Sequence, residues 1–155
     1  MQTSRVPAAV DALLAILRAR PALAEVAIVD GPTAVNLTSR RRIYVGWSPS
    51  AGQQAVELQQ EFNGAGARTR DEVFAISCYA ESRGGDKDMS FRRGDAFDLV
   101  GEVEAALRAT SSNPTAPNLG GVVLWAELTT GNVLQEISEG AQVGVEFTVS
   151  CRARI

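Results

Sequence analysis

From Gly140 to Ile155 (GAQVGVEFTVSCRARI) apolar and polar positions alternate. Val143, Val145, Phe147, Val149, Cys151, Ala153 and Ile155 fall on one side. Gln142, Gly144, Glu146, Thr148, Ser150, Arg152 and Arg154 fall on the other. Successive side chains of a strand point to opposite faces, so the pattern predicts a half-buried β-strand with one wet face. It runs to roughly twice the usual ~5–6 residues. It holds no Pro to interrupt a ladder and no Lys to blunt an edge. This stretch is expected to be a principal core strand against which the rest packs.

Two other segments carry the helical period. Val10, Leu13, Leu14 and Leu17 follow Pro7, which suits a first helical turn because its missing N–H needs no partner there. Asp11 near the start and Arg18 and Arg20 near the end favour the helix dipole, and Pro21 ends the run. A second helix is predicted from an Asp88 N-cap to about Ala109. Ala96, Val100, Val103 and Leu107 form its buried stripe, widened by Phe97 and Leu99. Asp95, Asp98, Glu102 and Glu104 are expected to face outward. Gly94 and Gly101 weaken this helix by ~1 kcal/mol each relative to Ala, and Gly101 is expected to allow close approach to the sheet.

Short apolar runs predict the remaining strands. Glu25–Val29 closes at the turn Asp30-Gly31-Pro32, and Arg42–Trp47 ends before Pro49. Arg70–Ala80 places Phe74, Ile76, Cys78 and Ala80 on one side. Val122–Thr130 is apolar enough to be central, Gly131–Asn132 reads as a turn, and Val133–Ile137 as a further strand. Residues 48–69, rich in Gln and Gly, read as a long loop between the second and third strands. Loops beyond ~12–15 residues are uncommon and tend to be functional. Ala55, Leu58, Gln59 and Phe62 outline at most a short helix whose thin apolar face calls for a partner to order it. The order of elements predicts an α+β fold. A mixed or antiparallel sheet carries two helices on one face, and residues 1–155 form a single domain.

Composition narrows the chemistry. Of 155 residues, 45% are hydrophobic and 21% charged, with a net charge of −3 and a pI near 5.0. That balance argues against general affinity for nucleic acid. Histidine is absent from the sequence, which removes the commonest general base and the commonest transition-metal ligand. The two cysteines lie on apolar strand faces and are expected to be small, reduced, buried core residues. Met1 to Val6 is polar, so no signal peptide is expected, and no run of ~20 apolar residues is available to cross a bilayer. The Gly64-Ala65-Gly66 spacing matches only part of a dinucleotide fingerprint and follows no predicted strand. No phosphate loop, nucleophile elbow or zinc-protease motif is present. Neither an enzyme nor a bound cofactor or metal is expected. The run Arg40-Arg41-Arg42 reads as a solvated loop end feeding a strand, with an anion-binding patch as the functional alternative.

Several segments together resemble the tail terminator proteins of long-tailed, siphovirus-type bacteriophages. They are the opening PAAVDALLAILRA, the VDGP turn, the VGW strand end, GARTRDEVFAISC, EVEAALRA, the LGG before a strand, and the closing VEFTVSCRARI. These are structural signatures spread over nearly the whole chain, and the resemblance carries over no catalytic residue. It implies a ring, usually a homohexamer, that caps the tail tube, ends tube polymerisation and joins the tail to the head. The implied partners are copies of itself, the tail tube protein and a neck or head-completion protein. Genomic DNA would pass through the lumen without sequence-specific binding, and no membrane is involved. The implied location is the virion tail or neck, with assembly in the host cytoplasm. Within residues 48–69 and just beyond, Glu57, Leu58, Glu61, Phe62, Arg68 and Arg70 are the expected subunit or tube contacts. Arg40, Arg41 and Arg42 are possible contacts to acidic partners, placed away from a lumen lined with acidic groups. The alternatives are another connector or neck ring, a tail tube subunit, or a monomeric nucleic-acid-binding module using the arginine run.

Overall fold

The computed structural model describes residues 2–33 and 38–155. Among them, six strands form one mixed sheet and two α-helices pack on one of its faces, an α+β fold. Helix α1 (Val6–Ala19) takes Pro7 in its first turn and buries Ala9, Leu13, Leu14 and Leu17. Pro21 ends the α-helix by opening a 3-10 turn, Pro21–Leu23. Strand β1 (Ala27–Asp30) pairs in parallel with β2 (Arg41–Val45), and β2 pairs antiparallel with β4 (Arg70–Arg83). Strand β6 (Ala141–Arg154) runs antiparallel along the other edge of β4, and β5 (Trp125–Ile137) lies outside β6.

Strands β4 and β6 are the spine, each of 14 residues. Their register sets Phe74 beside Cys151, Ile76 beside Val149 and Ala80 beside Val145, all buried under the helices. Burying such side chains contributes ~1.5–3 kcal/mol for each large one. The odd-numbered positions of the final strand from Val143 to Ala153 are buried, as alternation requires. Its even face is exposed only at Arg152 and Arg154, with Gly144 and Glu146 covered and Gln142, Thr148 and Ser150 half-buried. A Cβ at Gly144 would collide with the Tyr79 ring, which lies across it.

Helix α2 (Met89–Ala106) starts where the N-cap was expected. The Asp88 carboxylate accepts a hydrogen bond from the Phe91 amide at 3.1 Å. The buried stripe is Ala96, Leu99, Val100, Val103 and Ala106, with Leu107 just after it. Three details of the helix differ from expectation. Phe97 is exposed rather than widening the stripe. Asp95 turns toward the sheet, where it accepts from Ser82 Oγ at 2.6 Å and pairs with Arg41 at 3.1 Å. Gly101 faces solvent with nothing near its missing Cβ, so it serves no close approach.

Two strands also correct the sequence reading. Residues 48–69 are not a structureless loop with a short helix, because Val56–Phe62 forms strand β3, antiparallel to β4. Its true period is two, with Val56, Leu58, Gln60 and Phe62 on one face. The ladder is supplied by the strand next in sequence. The expected turn at Gly131–Asn132 is instead a bulge inside β5, where the register to β6 shifts between Thr130 and Val133. Strand β5 is the edge of the sheet rather than central.

Candidate assembly edges

Strands β2 and β3 lie end to end along one side of β4, β2 against Cys78–Ser82 and β3 against Arg70–Ile76. Because β6 occupies the other side of β4, β3 is an outer strand of the sheet. This edge gathers the residues expected to make subunit contacts. Leu58 and Phe62 share the face that carries the helices and are 49% and 68% exposed, lying beyond the helix cover. Glu57 and Glu61 are exposed on the opposite face, and Arg68 is exposed in the turn that joins β3 to β4. Arg70 stands opposite Phe62, holds its guanidinium 5.8 Å from that ring and donates to Gln60 Oε1 at 3.1 Å.

The same edge is fixed to the helix layer by one carboxylate. Glu72 is fully buried at the N-terminus of α1, accepting from the Arg5 amide at 2.8 Å and from the Gln60 side-chain amide. Helix α1 has no acidic residue in its first turn, and its N-cap residue Arg5 supplies no side-chain cap, although Ser4 Oγ accepts from the Val6 amide at 3.0 Å. Glu72 therefore brings from β4 the negative charge that a helix N-terminus favours. Within residues 48–69, the segment around Leu58 and Phe62 that was expected to need a partner for order is instead paired along β4 of its own chain.

The opposite edge was not anticipated as a contact surface. Along β5, every residue from Thr129 to Ile137 is exposed, Val133, Leu134 and Ile137 among them. Leu124 and Trp125 at its start are exposed too, as is Phe97 on α2. On the helix side, Arg93 donates to Gln135 at 2.7 Å, so this flank of α2 borders β5. The signal for an edge is present in the sequence. Thr129, Thr130, Gln135 and Glu136 put polar groups on both faces, which a central strand does not tolerate.

The arginine run does not form one patch. Arg40 is exposed, Arg41 is paired with Asp95, and Arg42 is 8% exposed with its Nε donating to the Ser39 carbonyl at 2.9 Å. Adjacent strand residues point to opposite faces, which is why three consecutive arginines diverge.

On the sheet face away from the helices, Tyr44, Trp47 and Tyr79 pack together, with ring centroids 5.0–6.1 Å apart. The buried Glu146 carboxylate anchors the turn after β2, accepting from the Ser50 amide at 3.2 Å and hydroxyl at 2.6 Å. Burial first, then the charges of Glu81 and Glu146, push the Tyr79 hydroxyl well above the ordinary tyrosine range. Cys78 and Cys151 are free and fully buried, and burial pushes both thiols up to about 12. At neutral pH they stay protonated and unreactive. Among the described residues no three carboxylates or thiols converge in a way that would hold a metal ion. Nor is any helix there long and apolar enough to cross a membrane. No protein-family model matches the chain, and no curated protein matches it significantly.

Proposed function

We propose that this chain is a structural subunit that joins copies of itself into a closed ring, the tail terminator of a long-tailed bacteriophage. The observation that supports assembly is the placement of exposed apolar side chains. Most of them gather on two opposite flanks of the sheet, Leu58 and Phe62 at β3 and Leu124, Trp125, Val133, Leu134 and Ile137 at β5, while Val73 lies on β4 and Phe91 and Phe97 on α2. Exposed apolar groups gathered at defined places mark interaction sites. Unlike patches on opposite sides favour head-to-tail contacts, which close into rings or run on as filaments. The terminator assignment itself rests on the resemblance of the segments quoted above.

In that role the tail tube protein sits on one side of the ring and a neck protein on the other, with DNA passing through the bore. The dispersal of the arginine run favours an assembly subunit over a nucleic-acid-binding module, since only Arg40 of the three is exposed. Native mass spectrometry and electron microscopy of the purified protein test the reading. Closed rings of uniform size are expected, and they bind the ends of tail tubes. Open filaments would point to a tube subunit, and a protein that stays monomeric even with tail tubes present would defeat the proposal.

A further inference from the structure

We infer that the ring is closed by main-chain pairing, with the outer edge of β5 in one copy laid antiparallel along β3 of the next. This rests on the ring reading above and names the contact within it. Neither β3 nor β5 contains Lys or Pro, the residues that commonly block strand addition, and the bulge at Gly131–Asn132 leaves Val133–Ile137 of β5 as an uninterrupted run. The directions agree. Strand β3 is antiparallel to β4, β4 to β6, and β6 to β5, so β3 and β5 run opposite ways. A neighbour that continues the sheet keeps its strand directions, so its β3 meets β5 antiparallel.

The topology also limits the register. Strand β1 extends the sheet beyond the column of β2 and β3, at the level of Cys78–Glu81. An incoming strand therefore fits beside Val56–Phe62 but not beyond it. The C-terminal end of β5 points toward that obstruction, because Val133–Ile137 pairs with Ala141–Val145 of β6, level with the β1–β2 end of the sheet. Strand β5 must slide the other way, which brings Leu128–Ile137 alongside β3. Leu128, Val133 and Ile137 share the helix-side face, as do Leu58 and Phe62. Pairing the two edges with helices on a common side buries these apolar groups against one another. It also gives partners to two rows of free backbone N–H and C=O groups.

Variants that each add one surface cysteine test this, and the two buried native thiols leave a quiet background. Gln59→Cys lies on β3, and Thr129→Cys, Leu134→Cys and Glu136→Cys on β5, all on the face away from the helices. Gln59→Cys is mixed with each β5 variant under mild oxidation and read on non-reducing gels, with native mass spectra of the same samples. Covalent dimers severalfold above either variant alone, with at least one β5 partner, are expected. Rings without any mixed crosslink would overturn the β3–β5 contact while leaving the ring reading intact. Crosslinking of a β5 variant with itself, equal to the mixture, would replace it by a two-fold β5–β5 contact. Absence of any oligomer, with or without tail tubes, would remove both.

Discussion

Two neighbouring carboxylates on β4 show how much a single position decides. Glu72 points into the helix layer and Asp71 away from it, as alternation demands. Glu72 is fully buried and bonded to the Arg5 amide and Gln60. Replacing it with Gln keeps the volume but removes a charge-assisted bond to the start of α1. We expect Glu72→Gln to lower stability by about 1.5–3 kcal/mol in urea unfolding, the usual worth of a hydrogen bond to a charged group. Asp71 holds Arg154 through bonds of 2.8 and 3.3 Å and Arg152 at 2.9 Å. Hydrogen bonds from those two guanidinium groups, Arg154 first and then Arg152, lower its pKa from 3.8 to about 2. A carboxylate lowered on folding contributes stability above its unfolded value and loses it as pH falls through the folded one. Acid titration of Asp71→Asn should accordingly show a shallower stability loss than the parent between 3.8 and about 2, with the two proteins' slopes alike above that window. The screened surface setting keeps this effect small.

At the scale of elements, the helices and the spine were legible because their periods are long and clean. Helix α1 follows from Leu13, Leu14 and Leu17 after Pro7, and β6 from seven apolar positions in strict alternation. Strand β3 was missed although Val56, Leu58 and Phe62 alternate with Glu57, Gln59 and Glu61; Gln60 breaks the apolar side, and the same Leu58 and Phe62 also fit a helical spacing with Ala55. The β5 bulge was hidden because Gly131–Asn132 is also the composition of a tight turn. Sequence offers no local means to distinguish a strand that bends from one that reverses. Helix α2 holds two correctable weaknesses. Gly94 and Gly101 are exposed mid-helix with open space at both Cβ positions. Substituting Ala at either is expected to raise stability by about 1 kcal/mol, and the pair by nearly the sum, since each acts on backbone entropy alone. A thermal melt showing no gain at either site would mean that α2 is not limited by its backbone.

For the whole molecule, the interior could be read from one chain, whereas the candidate contact surface was only half visible. Leu58 and Phe62 on the β3 side could be named from sequence as candidate contacts, but naming the β5 side required knowing which strand ends the sheet. That is a property of strand order, set by contacts distant in sequence such as Val133 with Val145 and Asp71 with Arg154. The two tryptophans of the sequence happen to divide between these environments. Trp47 sits among Tyr44 and Tyr79, while Trp125 stands 37% exposed on the outer strand. The β3–β5 register leaves Trp125 beyond the paired segment, so its emission should hold its wavelength as copies join. A contact reaching the start of β5 would move it to shorter wavelength, and Trp47→Phe isolates that signal. The molecule thus carries an optical gauge of the register in which its copies join, readable without a dye.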